Sequence, residues 1–144
     1  MRYCSVYLVV RDFEKSVAFY EQILDMKVSA RRGQRFAMFN SSGMTLCIMN
    51  GYFDRDHSDE IQRKGEYIPV FDALDNIADC ENTRKVFINI GVDDLRAEYD
   101  RIRQSNIANE LTEIRFIQYS SPYWYFTFTD PDGNPIEITG GYTE

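Results

Sequence analysis

The sequence predicts an α+β fold made of two βαβββ modules. Two observations support this prediction. The order strand, helix and three strands occurs twice along the 144 residues, and the start of each helix and the closing hairpin of each half match one another. Each half is too small to bury much apolar surface alone, so we expect the halves to pack together in a single domain.

The first module begins with a strand-like segment from Ser5 to Val10, whose side chains alternate between two faces. Asp12 is a typical N-cap for the helix that follows. A short strand is predicted at Lys27 to Ala30, and a Gly-containing turn joins Arg35 to Asn40 with Met44 to Met49 in a hairpin. The helix carries one apolar stripe, formed by Phe13, Val17, Tyr20 and Leu24.

The second module repeats this order. Lys85 to Val92 alternates like a strand, and Asp94 caps a helix with Leu95, Tyr99 and Ile102 on its apolar stripe. Three further strands are predicted, the last two joined by a turn of residues 130–133: Glu113 to Tyr119, Trp124 to Thr129 and Pro135 to Thr139.

The segment from Asn50 to Arg84 has a weaker pattern and is interrupted by Pro69. A short helix is predicted between Asp72 and Cys80. The expected organisation is therefore one domain over residues 1–144, with a first module at about 1–50, an insertion or linker at about 51–84 and a second module at about 85–144. Whether the insertion is a lid, an interface or a plain connection stays open.

Composition excludes several functional classes. The formal net charge is -7, with 16 Lys and Arg against 23 Asp and Glu, which disfavours nucleic-acid binding and mildly favours cationic ligands. No segment approaches the roughly 18 apolar residues of a membrane span. Three cysteines without paired spacing indicate reduced thiols, and hence a cytoplasmic protein. The nearest approach to a basic cluster, Arg31, Arg32 and Arg35, is interpreted as a solvated turn rather than an anion site.

Two motifs resemble the glyoxalase/bleomycin-resistance/dioxygenase (vicinal oxygen chelate) superfamily. They are the helix start Asp-Phe-Glu-Lys-Ser at residues 12–16 with Phe19 and Tyr20, and the hairpin from Phe128 to Ile138. The resemblance covers nearly the whole chain. It implies that the sheets of the two βαβββ modules curl around a shared cup, and that the protein forms a homodimer.

Metal-dependent members of that superfamily take ligands from four strand positions. In this sequence the resemblance places Ser5, Cys47, Phe87 and Glu137 there, and only Glu137 is a usual ligand type. The chain contains one His, His57, which is expected in a surface loop. We therefore expect no metal and no other cofactor, although a zinc site using Cys47 and Glu137 stays open.

Alternation predicts which side chains line the cup. Tyr119, Tyr123, Trp124 and Tyr125 are candidates for a stacking platform beside it. Phe126 and Phe128 are expected in the core, and whether Trp124 shares their strand face as a core residue stays open. Glu137 has two interpretations, a ligand-anchoring carboxylate or general base, and a polar group satisfied by a neighbour such as Tyr7 or Asn89. The predicted ligand-binding set is Ser5, Tyr7, Cys47, Met49, Phe87, Asn89, Trp124 and Glu137.

Two functional classes remain. The first is a binding protein for a small organic molecule, with a cationic drug as one candidate, by resemblance to the metal-free bleomycin-resistance branch. The second is a divergent enzyme of the lyase, isomerase or dioxygenase type that uses Glu137 as a base, with Cys47 or Tyr7 as its partner. Metal-dependent glyoxalase I or extradiol dioxygenase activity is disfavoured by Ser5 and Phe87. A structural or regulatory subunit finds no support in the residues.

Overall fold

The computed structural model describes residues 4–58, 74–118 and 122–143. Within these residues the chain forms eight strands and four helices. They divide between two compact units, Met1–Glu81 and Asn82–Glu144. None of the helices in the described residues is long and apolar enough to cross a membrane.

The first unit contains a four-stranded mixed sheet in the order β1-β4-β3-β2. Strand β1 runs parallel to β4, whereas β3 is antiparallel to both β4 and β2. The sheet therefore has the βαβββ connectivity that the sequence predicts. Its elements are β1 (Val6–Val10), α1 (Phe13–Ile23), β2 (Ala30–Arg32), β3 (Phe36–Ser41) and β4 (Met44–Asn50), followed by the short helices α2 (Phe53–Asp56) and α3 (Leu74–Asp79).

The second unit repeats the same arrangement with the strand order β5-β8-β7-β6. Strand β5 is parallel to β8, and β7 is antiparallel to both β8 and β6. This repetition confirms the α+β fold with two βαβββ modules. The elements are β5 (Ile88–Val92), α4 (Leu95–Ser105), β6 (Arg115–Ile117), β7 (Tyr123–Thr129) and β8 (Pro135–Gly140).

Both long helices begin where the sequence places them. Asp12 accepts a hydrogen bond from the backbone N of Lys15 at 3.1 Å, and Asp94 accepts one from the backbone N of Ala97 at 2.9 Å. Each carboxylate satisfies an N–H group that the first helical turn leaves without a partner. The predicted short helix before Cys80 is also present as α3, whereas Pro69 lies outside the described residues.

Strand boundaries are where the prediction was wrong. The strand expected at Lys27 to Ala30 lies instead at Ala30–Arg32, at the edge of its sheet. The fifth strand begins at Ile88 and not at Lys85. Its partner strand β8 begins at Pro135, which has no N–H to donate, so the first pair between the two strands is Ile88 with Ile136. Strand β6 is only three residues long and also lies at a sheet edge.

One face of each sheet packs against its long helix and forms a core. As predicted, Phe126 and Phe128 are core residues, at 0% and 1% exposure. Alternation then leaves the other face of each sheet for the candidate site. The buried core of the first unit includes Val10, Phe13, Val17, Tyr20, Phe39, Leu46 and Ile48, and that of the second includes Leu95, Ile102, Phe126, Phe128, Ile136 and Ile138.

The turn between β7 and β8 is organised by one buried carboxylate. Asp130 is 1% exposed, and its Oδ1 accepts hydrogen bonds from the backbone N of Asp132 at 2.9 Å and of Asn134 at 2.8 Å. Its Oδ2 accepts a third from the Asn134 side chain at 2.8 Å. Gly133 closes the turn at φ 83°, a conformation that favours glycine. This turn sets the register of β8 and therefore the position of Glu137.

Candidate functional site

The candidate site lies on the face of the second sheet that points away from α4. Glu137 is directly opposite Asn89 on β5 and Thr127 on β7, and Tyr125 is opposite Thr139 in the next row. Because side chains opposite one another on neighbouring strands share a face, these residues form one surface. It combines a carboxylate with amide, hydroxyl and phenol groups.

Glu137 is held by its neighbours in the sheet. The Asn89 side chain donates a hydrogen bond to Glu137 Oε1 at 2.7 Å, so one interpretation made from the sequence, satisfaction by Asn89, is confirmed. Glu137 itself is half-buried and Asn89 is exposed. The hydrogen bond fixes the carboxylate without neutralising it, since an amide carries no charge.

Tyr123 adds a phenol next to this carboxylate. The negative charge of Glu137 is the main cause that raises the pKa of Tyr123, followed by burial, the neighbouring Tyr125 and a side-chain hydrogen bond with Glu137. The phenol therefore stays protonated well above neutral pH and remains a hydrogen-bond donor. The rings of Tyr123 and Tyr125 lie 5.8 Å apart, so the carboxylate is bordered by an aromatic pair.

Trp124 does not belong to this surface. It is opposite Gly140, on the same face of β7 as the core residue Phe126. Its ring contacts Phe116 at 5.0 Å and Tyr142 at 4.7 Å between centroids. The structure thus separates Trp124 from Glu137, although both are in the predicted set.

Tyr125 and Thr127, which the predicted ligand-binding set leaves out, lie on the Glu137 face where Trp124 was expected. Strict alternation along β7 would have found them. Once Phe126 and Phe128 are assigned to the core, Trp124 falls on their side, and the odd-numbered residues fall on the side of Glu137. Tyr119, the other proposed platform residue, lies outside the described residues.

In the first unit the predicted residues share the corresponding face. Tyr7 is opposite Cys47 and Val9 is opposite Met49, while Cys47 also faces Met38 on β3. Cys47 and Glu137 occupy equivalent places in the two sheets. Cys47 on β4 is opposite Tyr7 on β1, and Glu137 on β8 is opposite Asn89 on β5. Tyr7 is 57% exposed, whereas Cys47 is 2% exposed.

The environment of Cys47 favours the protonated, unreactive form of its thiol. Burial raises the pKa of the Cys47 thiol, and a side-chain hydrogen bond with Ser5 opposes this effect only in part. Since the thiolate is the nucleophile and the metal ligand, the protonated thiol is a poor candidate for either role.

We expect iodoacetamide at pH 8 to alkylate Cys4 and Cys80 in the folded protein but not Cys47, because the first two are exposed and Cys47 is buried. Peptide mass spectrometry after timed quenching measures each site, and the same reaction in urea is the control in which all three should react. Labelling of Cys47 in the folded protein at the rate of Cys4 would contradict this account.

The side chains at the expected metal positions do not fit a divalent metal. Glu137 accepts a hydrogen bond from the amide of Asn89, and the hydroxyl of Ser5 is neutral and interacts with the protonated thiol of Cys47. Phe87 has no atom that can ligate a metal. Within residues 4–58, 74–118 and 122–143, no group of three or more His, Cys, Asp or Glu side chains is placed to hold a metal ion. His57 lies directly after α2 and stacks on Phe53 at 4.4 Å between ring centroids.

Comparison with known families gives one match over most of the chain. Residues 3–138 match the sequence model of the family described as the Glyoxalase/Bleomycin resistance protein/Dioxygenase superfamily. No curated protein sequence is significantly similar to this chain.

Solved structures agree on the fold. A glyoxalase/bleomycin resistance protein/dioxygenase from Nocardioides is 21% identical, with a TM-score of 0.62 over 97% of this chain and 87% of that one. A lactoylglutathione lyase from Agrobacterium tumefaciens is 15% identical, with a TM-score of 0.61 over 97% and 93%. A fosfomycin resistance protein from Listeria monocytogenes is 17% identical, with a TM-score of 0.61 over 99% and 94%. At these identities the likeness concerns the fold alone.

Proposed function

This chain belongs to the Glyoxalase/Bleomycin resistance protein/Dioxygenase superfamily, and we propose that it binds a small organic cation through Glu137 rather than through a metal centre. The observation that carries the proposal is the set of neighbours of Glu137. Asn89, which donates a hydrogen bond to Glu137, is neutral, and so is Tyr123, whose pKa the nearby carboxylate raises. In the described part of the chain no Lys or Arg forms an ion pair with Glu137, so its charge is available to a ligand.

The tyrosines beside Glu137 suit the same class of ligand. Aromatic faces attract cations, and a desolvated cation gains about 2 kcal/mol or more from such a contact. Tyr123 and Tyr125 lie next to one another on the Glu137 face, and Tyr123 is 36% exposed. A carboxylate beside two phenol rings recognises an alkylated or aromatic ammonium group by charge and by ring contact together.

The net charge of the protein supports this preference. At -7 the chain produces a negative potential that attracts cations over a distance. This contribution is general and falls with salt, whereas the contribution of Glu137 is local. The two are separable by measuring affinity at low and at physiological ionic strength.

A divergent enzyme is the second candidate. It is favoured by the pairing of a half-buried carboxylate with a protonated phenol, Glu137 with Tyr123, because such a pair supplies a general base and a hydrogen-bond donor on one surface. In that case Glu137 removes a proton from a bound substrate and Tyr123 stabilises the oxygen that becomes negative. Turnover of a bound molecule distinguishes this candidate from simple binding.

The proposal is tested by a thermal-stability screen of organic cations against neutral molecules of the same shape. Any ligand held by the folded state stabilises it, by about 2.7 kcal/mol at a hundred times its Kd. We expect aryl trimethylammonium compounds to raise Tm and their neutral tert-butyl counterparts to leave it unchanged. Equal stabilisation by both series, or no stabilisation by any of the cations, would contradict a cation site.

We also propose that the protein is a single-domain cytoplasmic homodimer with an insertion at about residues 51–84. The reduced state of Cys4, Cys47 and Cys80 supports the compartment, since none of them forms a disulfide. The dimer is proposed from family membership. Light scattering of the purified protein measures its mass directly.

A further inference from the structure

The first unit contains a cavity of about 410 Å³ beside the turn between β2 and β3. Its volume is in the range that small organic ligands occupy in proteins. The lining residues within the described part of the chain belong to the first unit, whereas the Glu137 surface belongs to the second. They are Arg32, Gly33, Gln34, Arg35, Phe53 and His57.

Arg32 brings an uncompensated positive charge to this cavity. Its side chain is exposed and has no ion-pair or hydrogen-bond partner within residues 4–58, 74–118 and 122–143. The preceding residue differs, since Arg31 pairs with Glu14 and lies over the ring of Phe13. Of these two adjacent arginines, only Arg32 lines the cavity and remains available.

Arg35 brings a guanidinium that the protein already holds in place. Its Nη2 donates a hydrogen bond to Asp54 Oδ2 at 3.0 Å and lies at ion-pair distance, 2.9 Å, from Oδ1, a buried oxygen that accepts no hydrogen bond within the described residues. A guanidinium has five N–H donors, and those on Nε and Nη1 have no partner among the described residues, so they are left for a ligand. The group also lies 5.6 Å from the ring centroid of Phe53, which further limits its movement.

His57 contributes a fixed imidazole to the same cavity. Its ring stacks on Phe53 with an interplanar angle of 15°, and its Nδ1 lies 3.2 Å from the backbone oxygen of Phe53. A carbonyl oxygen only accepts hydrogen bonds, so the proton lies on Nδ1. Nε2 is then the ring atom that remains for a ligand. In the neutral ring it accepts a hydrogen bond, so it can bind a donor group elsewhere on the ligand but not an anionic oxygen, which only the arginines can bind.

We propose that this cavity binds a small organic anion with a carboxylate or phosphate group. Guanidinium groups recognise both through paired, charge-assisted hydrogen bonds. Asp54 offsets the charge of Arg35, so Arg35 contributes hydrogen-bond donors that are already held in position. Arg32 contributes the net positive charge of the cavity. The ligand is of opposite charge to the one proposed for Glu137, and this inference does not depend on that proposal.

Calorimetric titration of the full chain at low ionic strength tests the inference, with phenyl phosphate and benzoate as the two anions and benzamide as the neutral control. We expect at least one anion to bind one-to-one and benzamide not to bind. Arg32→Gln should weaken that binding roughly tenfold, because it removes a charge-assisted contact. The anion that binds more tightly identifies the group that the cavity accepts.

Lys15→Gln is the matched control, since it removes the same charge from an exposed side chain of the same unit that does not line the cavity. We expect it to change the Kd less than twofold, and circular dichroism verifies that both variants fold. An absence of binding by both anions, equal weakening by the two variants, or binding of benzamide as tight as that of the anions would overturn the proposal.

Discussion

Asp130→Ala is expected to lower the free energy of unfolding by about 3 kcal/mol. The substitution removes the acceptor for the backbone N–H groups of Asp132 and Asn134 and for the Asn134 side chain. Because Asp130 is 1% exposed, water does not readily replace the lost acceptor. Buried donors without partners are among the costliest defects a point substitution produces.

Urea unfolding followed by circular dichroism measures this effect. Asp93→Ala is the control, because Asp93 is an exposed residue of the same unit whose side chain has no hydrogen bond in the described part of the chain. We expect that control to change the free energy of unfolding by less than about 0.5 kcal/mol. Similar losses in the two variants would show that the Asp130 turn does not stabilise the hairpin as described.

Glu137→Gln is expected to weaken binding of an organic cation about tenfold to a hundredfold. The substitution keeps the shape of the side chain and an oxygen for Asn89 but removes the negative charge. The ligand used is the aryl trimethylammonium compound that gives the largest Tm increase with the unmodified protein. Calorimetric Kd values at physiological ionic strength measure the effect, because salt then screens the general charge of the protein.

Glu113→Gln is the matched control for this prediction. Glu113 is an exposed residue of the second unit, outside any strand, and Glu113→Gln makes the net charge less negative by the same amount as Glu137→Gln. We expect the control to leave the Kd within twofold of the unmodified value. If both variants weaken binding equally, the attraction comes from net charge and not from the Glu137 surface.

Much of the fold was predictable because its signals are local. Asp12 and Asp94 both carry the N-cap signal and both cap their helices. The matching of Cys47 with Glu137, made from the two hairpins, agrees with their equivalent places in the two sheets. Strand ends were less predictable, because β2 and β6 are short edge strands whose ends depend on a single partner strand.

The site was predictable only in part. Asn89 and Glu137 come together as expected because they occupy adjacent parallel strands in register. The approach of Tyr123 to Glu137 has no local signal, since it depends on where a long side chain on β7 reaches along the sheet. The face of Trp124 stayed open between the site and the core because four consecutive residues, Tyr123 to Phe126, are aromatic, and such a run hides the alternation. The structure supports the core side and not the place of Trp124 in the predicted ligand-binding set.

The cavity lined by Arg32 and Arg35 was likewise missed. The sequence favours a solvated turn for these arginines. Arg32 is exposed, but it is the last residue of β2, and Arg35 lies in the turn that follows. What makes the cavity is the placement of Phe53 and His57 beside the turn. Those residues belong to a segment whose pattern is weak, so no periodicity indicated that they would face the arginines.

The most direct test of the account is a metal titration. The chelator-treated protein is titrated with zinc, nickel, manganese and iron(II) in a calorimeter, which reads both stoichiometry and affinity. Because Glu137 is the only usual ligand type at the four expected positions, we predict no stoichiometric binding tighter than micromolar for any of the four metals. One-to-one binding tighter than micromolar would contradict the metal-free account and would direct attention to Cys47 and Glu137 as ligands.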